Sequence, residues 1–114
     1  MNWETWPEAL LEERGRVFWQ TLVSGEGLTL GIAKLAPGDA VREHRHEQSE
    51  VYLVLEGAGV VTVDGERREI AGGSAVLIPG NALHSCENTG ARELRFAYVL
   101  AADSFDDVEY VFST

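Results

Sequence analysis

From about position 16 onward, short runs rich in Val, Leu, Ile and aromatic residues alternate with clusters of Gly, Pro, Asn and Asp. That spacing belongs to strands joined by tight turns. Residues 16–23, 28–35, 50–55, 59–63, 67–70, 74–78, 94–100 and 108–112 are predicted strands, with Leu94, Phe96, Tyr98 and Leu100 repeating at period two along one of them. Asp64-Gly65 can supply the two positive φ angles of a type I′ turn, so the runs on either side should pair as a hairpin. Ahead of the strands, residues 5–15 open with Thr5-x-x-Glu8, carry Pro7 early and stop at Gly15, which predicts a short N-terminal helix.

About eight short strands without a repeat or a long linker predict an all-β fold, a barrel or a double-sheet jelly roll, because closing a sheet protects its edges. At 114 residues the expectation is one domain over 1–114. The mix of 45% hydrophobic and 25% charged residues is that of a chain that folds.

With 9 basic residues against 19 acidic ones, the net charge of -10 repels phosphate backbones and anionic lipid, so neither nucleic acid nor membrane is an expected partner. No apolar run approaches the roughly 20 residues that span a bilayer. The start Met1-Asn2-Trp3-Glu4 lacks the basic and apolar regions of a signal peptide, which predicts a cytoplasmic protein. The lone Cys86 cannot form an internal disulfide and agrees with a reducing compartment.

Three histidines carry the chemistry. His44 and His46 flank Arg45, Glu50 follows four residues later, and His84 stands in a separate segment. In an extended strand His44 and His46 share a face, which Glu50 and Tyr52 continue if no bulge intervenes. Three imidazoles and a carboxylate form a mixed nitrogen and oxygen shell suited to a first-row divalent ion: Fe, Mn, Co, Ni, Cu or Zn.

The stretch from Gly38 through His44, His46 and Glu50 to Gly57 resembles the first motif of the cupin superfamily, with all four marker types at the family spacing. Residues 73–88, with Gly73, Pro79, His84 and Asn88 in register, resemble the second. One marker departs: Asn81 stands where the family has glycine, with Gly80 one place earlier, which touches the turn and not the ligands.

The resemblance implies a cupin double-stranded β-helix whose mouth binds one metal ion per chain through His44, His46, Glu50 and His84. It also implies a small-molecule substrate or ligand and, as in many cupins, a homodimer. A four-ligand shell leaves open positions on a six-coordinate ion, which favours a metal-dependent enzyme of dioxygenase, isomerase or lyase type. The alternative is a non-catalytic module that binds metal or a small ligand.

Tyr52 and Tyr98 are the candidate proton-transfer residues, although two phenols that merely fill the barrel are the simpler reading of each. Arg42 shares the parity of His44 and His46 and could anchor a substrate carboxylate through its planar fork, against the plainer role of a solvated surface residue. Cys86 is read as a small buried hydrophobe, and Trp3, Trp6 and Trp19 as core or interface residues. The acidic stretch 103–107 lacks the spaced ligands of a calcium loop.

Overall fold

Period-two alternation puts apolar side chains on the inner faces of most of eleven strands formed by the described residues, 3–6, 10 and 17–113, of this computed structural model. The strands are β1 (Glu4–Thr5), β2 (Val17–Gly25), β3 (Leu28–Leu35), β4 (Ala40–Arg45), β5 (Glu50–Glu56), β6 (Ala58–Val63), β7 (Glu66–Ala71), β8 (Ala75–Ile78), β9 (His84–Glu87), β10 (Leu94–Leu100) and β11 (Val111–Phe112). They form two antiparallel sheets, in the orders β1-β2-β3-β10-β5-β8 and β11-β4-β9-β6-β7. The inward side chains of both sheets make a single core, including Val17, Leu35, Val41, Val54, Val61, Ile78, Phe96 and Leu100.

All eight predicted strand runs hold strands, β3 and β10 with the predicted ends and the other six with shifted ends. The last shortens to β11, because Phe105–Asp107 forms a 3-10 turn capped by Ser104, whose Oγ accepts from Asp106 N. Three strands were not predicted: β1, β4 and β9. The expected N-terminal helix is corrected at its first residue, since Thr5 belongs to β1 and pairs with Phe18. Positions 7–9 and 11–15 of that helix lie outside the described residues.

The Asp64-Gly65 hairpin forms as predicted, with φ of 47° and 82°. It also positions the site. Asp64 Oδ1 accepts from Leu83 N at 2.9 Å and Asp64 N donates to Leu83 O at 2.7 Å, which fixes the segment leading into His84. The departure at Asn81 resolves in the same region: Asn81 takes φ of 65°, while a Cβ at Gly80 would fall 2.4 Å from Glu47 O. Asparagine takes the left-handed turn, and glycine serves the close approach.

Gly31 on β3 makes room for the Tyr98 ring. A Cβ there would lie 2.3 Å from Tyr98 Oη and 2.6 Å from Gln20 O. Gly31→Ala is expected to cost about 1–3 kcal/mol and to lower the melting temperature by roughly 5–15 °C, read by calorimetry. An unchanged melting temperature would show that β2 and Tyr98 shift freely.

Candidate metal centre

Strand pairing brings the ligands together. His44 on β4 stands directly opposite His84 on β9, so both imidazoles enter the interior from the five-stranded sheet. His46 follows β4 and its carbonyl accepts from Asn81 N at 2.7 Å. The chain then crosses to the other sheet, where Glu50 opens β5 between Ile78 and Leu100. The four therefore converge from two facing sheets and not along one strand face, which corrects the parity argument.

A bulge makes a second correction. Val41 pairs with Cys86 and His44 with His84, so β4 holds one extra residue between them, and both Val41 and His44 are buried. Arg42 thus loses the parity it was expected to share with His44. Its guanidinium stands over the Phe112 ring, 4.4 Å from the centroid.

His44, His46 and His84 are all buried, and their ligating atoms lie within 4.8 Å of one another. Each Nδ1 faces a backbone carbonyl: Arg42 O at 2.7 Å, Gln48 O at 2.9 Å and Ala82 O at 2.9 Å, respectively. A carbonyl only accepts, so each Nδ1 carries the proton and each Nε2 presents its lone pair inward. Glu50 Oε1 lies 3.3 Å from His46 Nε2 and 3.4 Å from His84 Nε2, and His84 Nε2 has no hydrogen-bond partner. Lone pairs facing a carboxylate in a buried chamber repel unless a cation or proton lies between them. The donor set fits a first-row divalent ion.

Burial, followed by the neighbouring His84, lowers His44 to about 4 from its ordinary 6.5. For Glu50, burial works toward a higher pKa, but contacts with His46 and His84 outweigh it and hold the carboxyl below its usual value. Both groups bind protons more readily in the unfolded chain, so their stabilising contributions are lost as pH falls. For His44 the loss runs from pH 6.5 down through about 4, and for Glu50 it comes below its ordinary 4.5. The metal-free chain is expected to lose up to about 3 kcal/mol over the His44 window. Thermal unfolding of wild type and His44→Gln across that range tests this; parallel curves would refute it.

Tyr52 is the next inward residue after Glu50 on β5 and is buried, with its ring 4.5 Å from that of Phe96. Burial, then the Glu50 charge, raises its phenol well above 10. Tyr98 is buried as well, but its hydroxyl points into the notch at Gly31 on β3, and burial pushes it up to about 12. Cys86 lies in the core opposite Val41 and Val61, its thiol raised to about 12 by burial, as expected of a small buried hydrophobe. Trp6 and Trp19 pack in or against the core, whereas Trp3 is 36% exposed, under the Lys34 ammonium at 4.3 Å.

A chamber of about 10 Å³, room for one water, lies among His44, His46, Glu50 and Tyr52. Trp6, Leu10, Leu100, Phe105 and Tyr110 complete its wall; Trp6 was read from the sequence as a core or interface residue, and none of the five was singled out for the site. Tyr110 is the most telling. Its ring centroid is 5.5 Å from that of His44, and its buried hydroxyl has no hydrogen-bond partner. Its alternation with Val108 and Phe112 was the available signal. Outside, a cleft of about 490 Å³ shares His46 with Glu47, Gln48, Asn81, Asp107, Glu109 and Val111.

The profile of the Cupin domain family matches residues 31–100. This chain belongs to the cupin family. It is 46% identical over 104 residues to the dimethylsulfoniopropionate lyase DddW of Ruegeria pomeroyi, covering 87% of this chain and 68% of that protein. It is 38% identical over 68 residues to an oxalate-binding protein of Thermotoga maritima, covering 59% and 56%. Thus the chain spans little more than half of the second relative's length. A Thermotoga maritima crystal structure described as a predicted oxalate decarboxylase superposes with a TM-score of 0.78 at 28% identity, covering 90% of this cupin and 93% of that chain.

Proposed function

We propose that this cupin is a metal-dependent lyase that eliminates a leaving group from a small carboxylate, with His44, His46, Glu50 and His84 holding one divalent ion and Tyr52 acting as base. The convergence of three imidazole lone pairs and the Glu50 carboxylate, with Tyr52 next along the same inner face, carries the reading. The likeness to a dimethylsulfoniopropionate lyase supports the choice of elimination over oxygen chemistry.

A divalent ion held there supplies Lewis acidity toward a substrate carboxylate and positive charge that offsets Glu50 beside the Tyr52 phenol. For dimethylsulfoniopropionate, Tyr52, which is a protonated phenol at rest, first gives its own proton to water and then, as phenolate, removes a proton from the carbon next to the carboxylate. That C–H electron pair becomes the new C=C bond, the C–S pair leaves with sulfur, and the products are acrylate and neutral dimethyl sulfide, with the proton on Tyr52. Tyr110, Trp6 and Phe105 line this chamber and supply aromatic rings that attract a cationic sulfur.

The test is incubation of the metal-loaded chain with dimethylsulfoniopropionate and headspace measurement of dimethyl sulfide. Metal-dependent release is the expected result; none with any of the six divalent ions removes the lyase reading. The oxalate-binding relative then favours a module that holds a small dicarboxylate without consuming it, which calorimetry with oxalate detects.

A further inference from the structure

We infer that β11 is a gate: residues 109–113 swing off β4 and carry Tyr110 out of the chamber wall, which opens the metal centre to the cleft outside. The inference rests on the reading of the chamber as the place where a small molecule meets the ion. The chamber has about 10 Å³, room for one water. Any carboxylate is larger, so part of the wall has to move before substrate reaches the ligands. The run that holds Tyr110 separates two spaces. Tyr110 lines the chamber, Glu109 and Val111 on either side of it line the cleft of about 490 Å³, and His46 borders both. Lifting that run joins cleft and chamber.

The rest of the wall is better anchored. His44, Glu50, Tyr52 and Leu100 stand on strands paired within the two sheets. Trp6 N donates to Val17 O at 2.9 Å. Phe105 is stacked on Trp19, with ring centroids 4.4 Å apart, and its 3-10 turn ends at the buried Val108, whose N–H donates to Phe105 O at 3.3 Å. Ahead of that turn, Ala102 O accepts from Thr29 Oγ1 at 2.8 Å. Beyond Val108 the hold is lighter. β11 is an edge strand that pairs with β4 through Val111 with Arg45 and Phe112 with His44, so no other strand leaves with it. Ser113 N reaches Glu43 O only at 3.5 Å, and the Tyr110 hydroxyl has no hydrogen-bond partner. The Arg42 guanidinium over the Phe112 ring serves as the latch. A short edge pairing with few backbone hydrogen bonds is the kind of segment that opens while the core stays folded.

The ligands are their own reporter, because the chain has no other histidine. Diethyl pyrocarbonate acylates an unprotonated imidazole nitrogen, so its rate on the untagged, metal-stripped full chain reads access to the chamber without metal or turnover, with circular dichroism to show that each chain is folded. Arg45 and Val111 stand directly opposite one another. Cα atoms in such pairs lie about 4.5–5.5 Å apart, within reach of a disulfide. Oxidised Arg45→Cys/Val111→Cys is expected to be labelled about tenfold more slowly than wild type, and to recover on reduction, because the cross-link removes most of the open state. A control lock across β1 and β2, Thr5→Cys/Phe18→Cys, should leave the rate unchanged. If the first lock does not form or fold, Arg42→Ala carries the test, and loss of its contact with Phe112 should speed labelling about 2–5-fold. Metal-loaded chains should give up their ion to a chelator in the same order of rates. An unchanged rate in the locked chain, equal slowing by the control lock, or no gain in Arg42→Ala overturns the gate. The expected labelling rates without dimethyl sulfide release support the gate and remove the lyase.

Discussion

Chain purified without an affinity tag and without added metal is expected to hold about one divalent first-row ion, and His84→Ala close to none. His84 is the ligand whose Nε2 is buried and lacks any hydrogen-bond partner, while its Nδ1 is fixed by Ala82 O. Its imidazole is thus already oriented, and alanine removes a donor that no neighbour can replace. Loss of an outer partner of a ligating histidine costs about 10–100-fold in metal affinity, so loss of the ligand itself costs more. Elemental analysis of the two proteins side by side decides the matter. A redox-active ion lost in the variant keeps oxygen chemistry in play beside elimination, and a non-redox ion favours the Lewis-acid reading. Equal metal in both chains, or none in either, would sink the assignment of the four ligands.

The second large effect is on turnover. Tyr52→Phe is expected to lower kcat by about 10²–10⁴-fold, the usual contribution of a positioned proton acceptor, while metal content stays at the wild-type level. Phenylalanine keeps the ring against Phe96 and removes only the hydroxyl, so the packing cost is small. Metal analysis and kcat must be measured on the same preparation, because a joint loss would mean that Tyr52 supports the ligands instead of the chemistry. If Tyr52→Phe turns over within a few-fold of wild type while Tyr110→Phe does not, the base is Tyr110, whose unpartnered hydroxyl shares the chamber.

What the sequence disclosed follows from where apolar alternation and ligand spacing were strong. Leu94, Phe96, Tyr98 and Leu100 announce β10, and Asp64-Gly65 announces its hairpin because only a few residues tolerate two positive φ angles in succession. β4 and β9 were missed as strands for the reason that makes them interesting. Their sequences, AVREHR and HSCE, are short and polar, since inward positions that would ordinarily hold Val or Leu hold His44 and His84. Arg42 was misplaced because one extra residue between Val41 and His44 reverses parity, and no residue there signals a bulge. The chamber's roof was out of reach. Trp6, Leu10, Phe105 and Tyr110 come from opposite ends of the chain, and their meeting depends on tertiary packing that local pattern does not record.

Each ligating imidazole is aimed by a carbonyl only two residues away: His44 by Arg42, His46 by Gln48 and His84 by Ala82. Orientation of the donors is therefore written into three short segments and owes little to the roof or to the outer surfaces. Such a centre is portable through evolution. Substitutions in the chamber wall can exchange one small molecule for another without re-aiming a single ligand, and substitutions on the outer sheets can change what the barrel associates with while the donors stay in place.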